Sequence, residues 1–318
     1  MKILITGCSG YIGSVICKEA KLRGHTVYGI DIAKCDHPYI DGFIQDNINS
    51  LSVSEHLANH WSVDALFHLA ASADVTDSTI RPALYYSNNI GATSTFIDNL
   101  LQTRWRGPVV FSSTAAVYDR KDKPHVEHES IKPPNAYGHS KLMCEGFFKE
   151  IHKVHKLPTV MFRYFNVAGA FDDVGDHLTS DHVLQKLCNS AVKNIPFRVF
   201  GHNHNTRDGS CVRDYLHVRD VANAHFAALE LLSHSPHIYT FNLGTNDGIT
   251  VKELATRFKS RTGKSIEILL SDPRPGDPTY LVANPSYFIS KSGFKYEYSD
   301  IDNIIDSAWE WYRSHNAF

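Results

Sequence analysis

Short apolar runs alternate along the first half of the chain with longer stretches whose apolar residues recur at helical spacing. Residues 2–5, 26–30, 65–69, 109–112 and 159–165 read as buried strands, and 14–23, 83–102 and 137–155 as amphipathic helices. That alternation predicts an α/β fold, a doubly wound parallel sheet wrapped by helices on both faces. After Gly169 the texture changes. Loops rich in Asp, His, Asn and Gly (170–181 and 201–210) surround a helix at 181–194 and a strand at 197–200. A helix at 220–232, a strand at 238–243, the run Asp272-Pro-Arg-Pro-Gly-Asp277-Pro278 and a closing helix at 299–314 follow. Trp309, Trp311 and Tyr312 in that last helix read as packing residues. The expected organisation is a sheet domain over 1–168, to which 215–243 returns, and a smaller lobe over 169–318.

The 318 residues hold 32 Lys and Arg against 34 Asp and Glu, so no basic footprint for nucleic acid is present. An apolar fraction of 42% excludes a disordered chain. No apolar run reaches the ~18–20 residues of a membrane span. Met1-Lys2-Ile3-Leu4-Ile5 enters a strand directly, with no targeting segment before it, so the expected compartment is the cytoplasm. Cys8, Cys17, Cys35, Cys144, Cys188 and Cys211 are scattered without a Cys-x-x-Cys pair, the pattern of reduced thiols. The pairs His125/His128 and His202/His204 lack the i, i+4 spacing of a helical zinc motif, so no metal is expected.

Thr6-Gly7-Cys8-Ser9-Gly10-Tyr11-Ile12-Gly13 joins the first strand to the first helix. Gly7 permits the tight turn, Gly10 leaves the backbone open to a pyrophosphate, and Gly13 lets helix and strand pack closely. The phosphates then meet the positive end of the helix. A glycine pattern alone also fits an ordinary turn. Here it has strand–helix context and an acidic partner: Asp31 ends the second strand, placed to accept both ribose hydroxyls of an adenosine. A carboxylate there repels a 2′-phosphate, which favours NAD over NADP. Asp46, after the third strand, either caps the adenine amino group or is a solvated loop carboxylate.

Tyr137-Gly-His-Ser-Lys141 begins a helix after Pro133-Pro134, and its i, i+4 spacing puts phenol and ammonium on one face. A lysine charge beside a phenol favours the phenolate, lowering a pKa that is ordinarily ~10 toward a base usable near neutral pH. Phe111-Ser112-Ser113-Thr114 ends a strand, where ligands of open α/β sheets bind. The Thr114 hydroxyl can there share the substrate's proton with Tyr137.

The glycine turn, the Tyr137/Lys141 pair and the strand-end hydroxyl together resemble the extended short-chain dehydrogenase/reductase superfamily. Within it nearly the whole chain is similar to the UDP-glucose 4-epimerases (UDP-galactose 4-epimerases). The runs that carry this are Phe67-His-Leu-Ala-Ala71, Tyr85-Tyr-Ser-Asn-Asn89, Phe111-Ser-Ser-Thr-Ala-Ala-Val-Tyr118, Arg163-Tyr-Phe-Asn-Val-Ala-Gly-Ala170, Asp208-Gly-Ser-Cys-Val-Arg-Asp-Tyr-Leu-His-Val218 and Asn242-Leu-Gly-Thr245. The resemblance implies a Rossmann-type NAD-binding domain over 1–168 and a UDP-sugar-binding lobe over 169–318. It implies inversion of C4 of a UDP-hexose, UDP-glucose or UDP-galactose, through a transient 4-keto intermediate. The alternatives are a UDP-N-acetylglucosamine or UDP-pentose 4-epimerase and, in another class, a non-catalytic NAD-sensing module. That module would be expected to have lost Tyr137 or Lys141.

Residue by residue, the resemblance makes Tyr137 the base, Lys141 the holder of the nicotinamide ribose and Thr114 the family's serine or threonine. Gly7, Gly10, Tyr11, Ile12, Gly13, Asp31, Asp46, Asn47, Leu69, Ala70, Asn89 and Ser112 match cofactor positions, with Tyr164 near the nicotinamide. On the substrate side it adds Asn166, Val183, the phosphate-clamping Arg213 and Arg274, Phe200 along the uracil, Asp277 at the uridine ribose, and Leu281.

Two departures stand out. Ala73 occupies the place of a lysine that bacterial members carry near the cofactor. Leu281 falls at a gate where tyrosine confines the enzyme to unacetylated sugars and cysteine or serine admits an N-acetyl group. Leucine is intermediate, so UDP-glucose and UDP-galactose are expected as the better pair, with weak N-acetylhexosamine activity. Ala115 and Ala116 follow Thr114 where 4,6-dehydratases have an acidic pair and UDP-glucuronate decarboxylases an acid, so the site is expected only to move a hydride and a proton. A homodimer through helices 137–155 and 83–102 is also implied. Leu142, Met143, Phe147, Phe148 and Ile151 exceed what one sheet face is expected to cover.

Overall fold

The computed structural model describes residues 1–178, 180–274 and 277–316. Six strands run through the first half: β1 (Lys2–Thr6), β2 (Thr26–Asp31), β3 (Gly42–Gln45), β4 (Ala65–His68), β5 (Val109–Thr114) and β6 (Thr159–Tyr164). Between them lie α1 (Tyr11–Leu22), α2 (Leu51–Asn59), α3 (Val75–Ile80), α4 (Pro82–Tyr85), α5 (Ala92–Gln102) and α6 (Ala136–His155). The chain then builds β7 (Asn166–Ala168), the hairpin β8 (Ala170–Phe171) and β9 (Val174–Gly175), α7 (Val183–Lys193), β10 (Phe197–Phe200) and β11 (Val212–His217). It continues through α8 (Val218–His234), β12 (Ile238–Leu243), β13 (Gly248–Thr250), α9 (Val251–Thr262), β14 (Ile268–Ser271), β15 (Tyr280–Leu281), α10 (Ser286–Ser292) and α11 (Ile301–His315).

The main sheet has seven strands in the order β12-β6-β5-β4-β1-β2-β3, every pair parallel. This is the Rossmann-type doubly wound fold, and its strand order reverses between β1 and β4. Side chains alternate across each strand. Ile3 and Ile5 therefore join the core beneath α1 and α8, while Leu4 joins the opposite core with Phe96, Phe148 and Leu100. A third core, around Leu187, Phe258 and Tyr312, fills the lobe. Trp309 and Trp311 pack on the same cluster. The lobe sheet pairs β11 with β13 and β15, and further along with β7; β10 pairs with β14 separately. All six cysteines stand unpaired. Among the described residues no helix is long and apolar enough to cross a membrane.

Four observations differ from the sequence reading. The helix expected at 83–102 is interrupted by a π-helical turn, Tyr86–Gly91, which widens the backbone and lets the Asn89 side chain reach inward. Phe148, counted among surplus apolar residues, is fully buried, because it sits at 5.0 Å from the Phe111 ring under the sheet. Of the segment 215–243, α8 and β12 join the sheet, whereas Tyr215, Leu216 and His217 pair with β7 in the lobe. α10 also comes back to the sheet: Phe288 meets Phe162 at 4.9 Å and Phe241 at 5.2 Å.

Candidate active site

The exits of β1 and β4 are pressed together at the strand-order reversal. Gly7 turns at φ +73°, and a Cβ there would lie 2.8 Å from the backbone nitrogen of Ala70. Leu69 and Ala70 donate their N–H groups to the Thr6 carbonyl (3.1 Å) and hydroxyl (3.3 Å). A Cβ on Gly13 would overlap the Gly7 carbonyl oxygen, while one on Gly10 would meet only that oxygen, at 3.4 Å. No side chain caps α1, so the first-turn N–H groups of Tyr11, Ile12 and Gly13 are left for an anionic acceptor. The Tyr11 phenol instead ties α1 to the lobe, donating to the Gly169 carbonyl at 2.6 Å. The Asp31 carboxylate accepts from Ser9 and Ala33 N–H, both at 2.9 Å, and so faces the turn. Asp46 accepts from Asn47 N–H at 2.7 Å and from the Ser52 hydroxyl; the Ser52 bond chiefly holds its carboxyl below the ordinary value. Both Asp46 oxygens serve the local turn, in keeping with the loop-carboxylate alternative. The open Gly10 cradle, uncapped helix start and Asp31 carboxylate fit the pyrophosphate and adenosine ribose of NAD.

One strand gap away, Thr114 and Tyr164 are register partners on β5 and β6, at the carboxyl end of the sheet. Asn135 caps α6 by accepting from Gly138 N–H at 2.9 Å, and a Cβ on Gly138 would overlap the Ala116 carbonyl oxygen. The helix can therefore start hard against the end of β5, which brings Tyr137 to Thr114. Lys141, one turn on, is buried and donates to the Ser112 carbonyl (2.7 Å) and hydroxyl (3.2 Å). Here the expected coupling is corrected. Burial raises the Tyr137 phenol above its ordinary value, and the Thr114 hydroxyl, rather than lysine, pulls it down. The ammonium goes to Ser112 instead, and burial lowers it to about 8.

Behind these residues lies a buried polar brace. Asn89, expected at the cofactor, accepts from Ser72 N–H (2.8 Å) and donates to the Ser72 carbonyl (3.0 Å) and the Ser140 hydroxyl (2.9 Å). Both its donors are thus committed to joining the loop after β4 to α6. The loop residue Ala73, lacking the lysine side chain, lies between Ser72 and Asp74, and Asp74 caps α3. Glu145 takes the guanidinium of Arg163 and the Ser113 hydroxyl. Arg163 also donates to the Tyr118 phenol, which donates to Asn242 at 2.6 Å. The sequence reading did not single out Glu145. Its signal was a carboxylate one turn past Lys141 on the same helical face, with an arginine inside the otherwise apolar strand 159–164.

The expected substrate residues fall in two groups, Arg213, Leu281, Asp277 and Asn166 at β11, and Arg274 with Phe200 and Val183 where β10 meets the start of α7. Arg213 and Leu281 are register partners, and the Arg213 guanidinium stands 3.7 Å from Asp277. Asn166, opposite Tyr215 on β7, donates to the Asp214 carbonyl at 3.0 Å. The Arg274 guanidinium lies over the Phe200 ring at 3.9 Å. Asp181, held low by Lys186 and then by Arg274, brings the entrance of α7 and its first residue Val183 to that corner. Pro275 and Gly276, in the run that sets the register of Leu281, lie outside the described residues. Asp214, also missed, is a buried hub: it accepts from Thr245, Asn246 and Ala283, and so locks β11 to the ends of β12 and β15.

A family model described as the NAD dependent epimerase/dehydratase family matches residues 3–244. The chain is 33% identical to a UDP-glucose 4-epimerase of Halalkalibacterium halodurans over 99% of its length and 96% of the relative's. Its fold is similar to that of a UDP-glucose-4-epimerase from Stenotrophomonas maltophila, solved with bound NAD and formylated UDP-arabinopyranose. The TM-score is 0.93, the identity 30%, and 99% and 98% of the two chains are covered. A UDP-Glc/GlcNAc 4-epimerase from Campylobacter jejuni superposes with a TM-score of 0.84 at 31% identity, over 98% of this chain and 99% of that one.

Proposed function

The chain belongs to the NAD dependent epimerase/dehydratase family, and from that premise we propose that it inverts C4 of UDP-glucose and UDP-galactose with NAD as its cofactor. The observation that carries this is the start of α6 against the end of β5, where Asn135 caps the helix and Gly138 abuts the Ala116 carbonyl, which sets Tyr137 beside Thr114, one strand across from the glycine turn, with only alanines following Thr114. NAD, when bound, takes the C4 hydride and returns it, so the sugar passes through a 4-keto form between the two transfers.

Every other task falls to the chain. Gly10, the start of α1 and Asp31 hold the dinucleotide, and Lys141 and Ser112 stand where its nicotinamide ribose would be held. Tyr137 removes the proton from the C4 hydroxyl and gives it back, with Thr114 sharing it. Arg213 and Arg274 anchor the diphosphate, Phe200 and Asp277 the uridine, so that the sugar turns over without leaving. Ala115 and Ala116 supply no acid for eliminating water. The sheet half, with α8 and β12, is read as the NAD domain and the remainder after β6 as the UDP-sugar lobe.

Two further readings complete the proposal. The protein works in the cytoplasm, and it pairs as a homodimer through α6 and α5, where Met143 is 51% exposed and Leu142, Phe147 and Ile151 are only half-buried. Sedimentation of a monomer at micromolar concentration would count against the dimer. The activity is tested by incubating the protein with UDP-galactose, UDP-GalNAc and UDP-arabinose and following C4 inversion. Conversion of UDP-galactose ahead of the others is expected; inversion of only the acetylated or pentose sugar would replace this substrate assignment.

A further inference from the structure

The excursion between β5 and α6 leaves the sheet just after Thr114 and comes back just before Tyr137, so both reacting groups of the proposed site stand at its feet. Its base is closed: Tyr118 pairs antiparallel with Ile131, and the Lys132 N–H donates to the Val117 carbonyl at 3.1 Å. Its far end reaches across to the lobe. There His125 pairs in parallel with Ala283, donating its N–H to the Val282 carbonyl and accepting at its own carbonyl from Asn284 N–H, both at 2.8 Å. Leu281 is the residue just before this joint. On the lobe side β15 is only two residues long, paired with β11 through Tyr280 and Leu281, and Asp214 takes the Ala283 N–H. His125 supplies the hold from the sheet domain.

The His125 side chain decides where the joint sits. It is fully buried and stacked on Tyr118, ring centres 4.5 Å apart and planes within 20°, with the Phe165 ring at 6.2 Å. Its Nδ1 bonds Glu129, which Lys121 and the Val126 N–H also hold. Nε2 meets no partner among the described residues, so the ring acts by its shape and by that one bond. Tyr118 is fixed in turn: its phenol donates to Asn242 at 2.6 Å and accepts from Arg163 at 2.9 Å. A continuous run of contacts thus joins the end of β5 to the strand that carries Leu281. We infer that His125 is a positioning residue that sets the gap between the reacting groups Thr114 and Tyr137 and the Leu281 side chain, and with it the size of sugar that can turn over. A leucine stops a bulky C2 substituent only while the strand behind it cannot yield. Deleting the His125 ring opens space against Tyr118 and Phe165 into which the joint can relax.

The inference rests on the substrate reading, which the parent's own turnover of UDP-galactose tests; the role of His125 is read from the change between parent and variant. In the NAD-loaded protein, His125→Ala is expected to raise the ratio of kcat/KM for UDP-GalNAc to that for UDP-galactose about tenfold. His125→Phe keeps a ring on Tyr118, while Glu129 keeps Lys121 and Val126, so it returns the ratio to near the parent's. In a Leu281→Ala background the gate side chain is already gone, and His125→Ala shifts the ratio no further. Should His125→Ala fold poorly, His125→Val, which suits the strand pairing but lacks the ring, is read in its place and moves the ratio in the same direction. A merely structural role lowers both activities together. Equal losses on the two sugars, a His125→Phe ratio as shifted as that of His125→Ala, or an undiminished shift in the Leu281→Ala background overturns the inference.

Discussion

The Glu145 carboxylate holds Arg163 by two bonds, to Nε at 2.9 Å and to Nη2 at 2.7 Å, with both side chains sealed from solvent. The pair stands directly behind the site, since Arg163 precedes Tyr164 on β6 and Glu145 follows Lys141 by one helical turn. Removing one partner leaves a buried charge without its counterion. Arg163→Met should therefore cost about 3–5 kcal/mol of unfolding free energy, read by urea denaturation. The double variant Arg163→Met, Glu145→Leu should recover part of that loss. A single variant as stable as the parent would show the pair to be dispensable.

Tyr137→Phe removes the phenol and leaves its ring between Tyr85 and Thr114. Turnover should fall by roughly 10²–10⁴, while NAD is retained and the melting temperature barely changes. Steady-state kinetics beside cofactor content decides the matter; turnover within about threefold of the parent refutes the assignment.

Asp31→Ala removes the acceptor that faces the glycine turn. Weaker NAD retention is expected on gel filtration, with UDP binding to the protein unchanged. Cofactor released by denaturing the parent should be NAD; recovery of NADP contradicts the ribose reading.

Buried neutral histidines make the fold acid-sensitive. Burial lowers His68 to about 3 and His217 and His225 to about 4, below the ordinary imidazole value. Between roughly pH 6.5 and pH 4 the unfolded chain thus binds protons that the folded chain refuses, so stability rises with pH across that window and is lost as pH falls through it. Thermal melts from pH 7 to pH 4 should decline steadily. His217→Gln, which keeps a polar group near Ser307, should flatten the decline, and an unchanged slope would exclude His217 as a contributor.

Leu281 is the register partner of Arg213, and on the proposed reading, in which that arginine anchors the diphosphate, the sugar comes within its reach. Leu281→Tyr should abolish any turnover of N-acetylhexosamine substrates and spare UDP-glucose and UDP-galactose, because a clash discriminates only against the larger group. The measurement is kcat/KM for both pairs in both proteins. Equal losses on the two pairs, or a parent that prefers UDP-GalNAc, would remove Leu281 from the gate.

What the sequence discloses about this site is what depends on short spacing. The glycine turn, Asp31 at a strand end and the i, i+4 spacing of Tyr137 and Lys141 are each specified by a few adjacent residues, and the fold sets Asp31 facing the turn and both Tyr137 and Lys141 on α6. The direction of the Tyr137 shift was not legible, because it depends on burial that only the tertiary fold creates, while Lys141 is drawn to the Ser112 carbonyl. Asp214 and Glu145 were equally hidden. A carboxylate in a sequence looks solvated until tertiary pairing closes over it, and the partners of Asp214 lie at 245, 246 and 283. The π turn at Tyr86–Gly91 leaves no periodic trace, since it shifts the helical phase by a single residue.

The chain passes between sheet and lobe five times, after β6, β11, β12, β15 and α10. Neither half is a cassette. A chain ending at Leu243 has all seven strands of the main sheet but leaves β11 without β13 and β15, and so without the strand that bears Leu281. Recombination between relatives at a single junction cannot exchange one lobe for another. On the proposed reading, a change of sugar preference comes from substitutions along β11, β15 and their neighbours, and during synthesis the pairing of β15 with β11 forms only after Leu281 has left the ribosome.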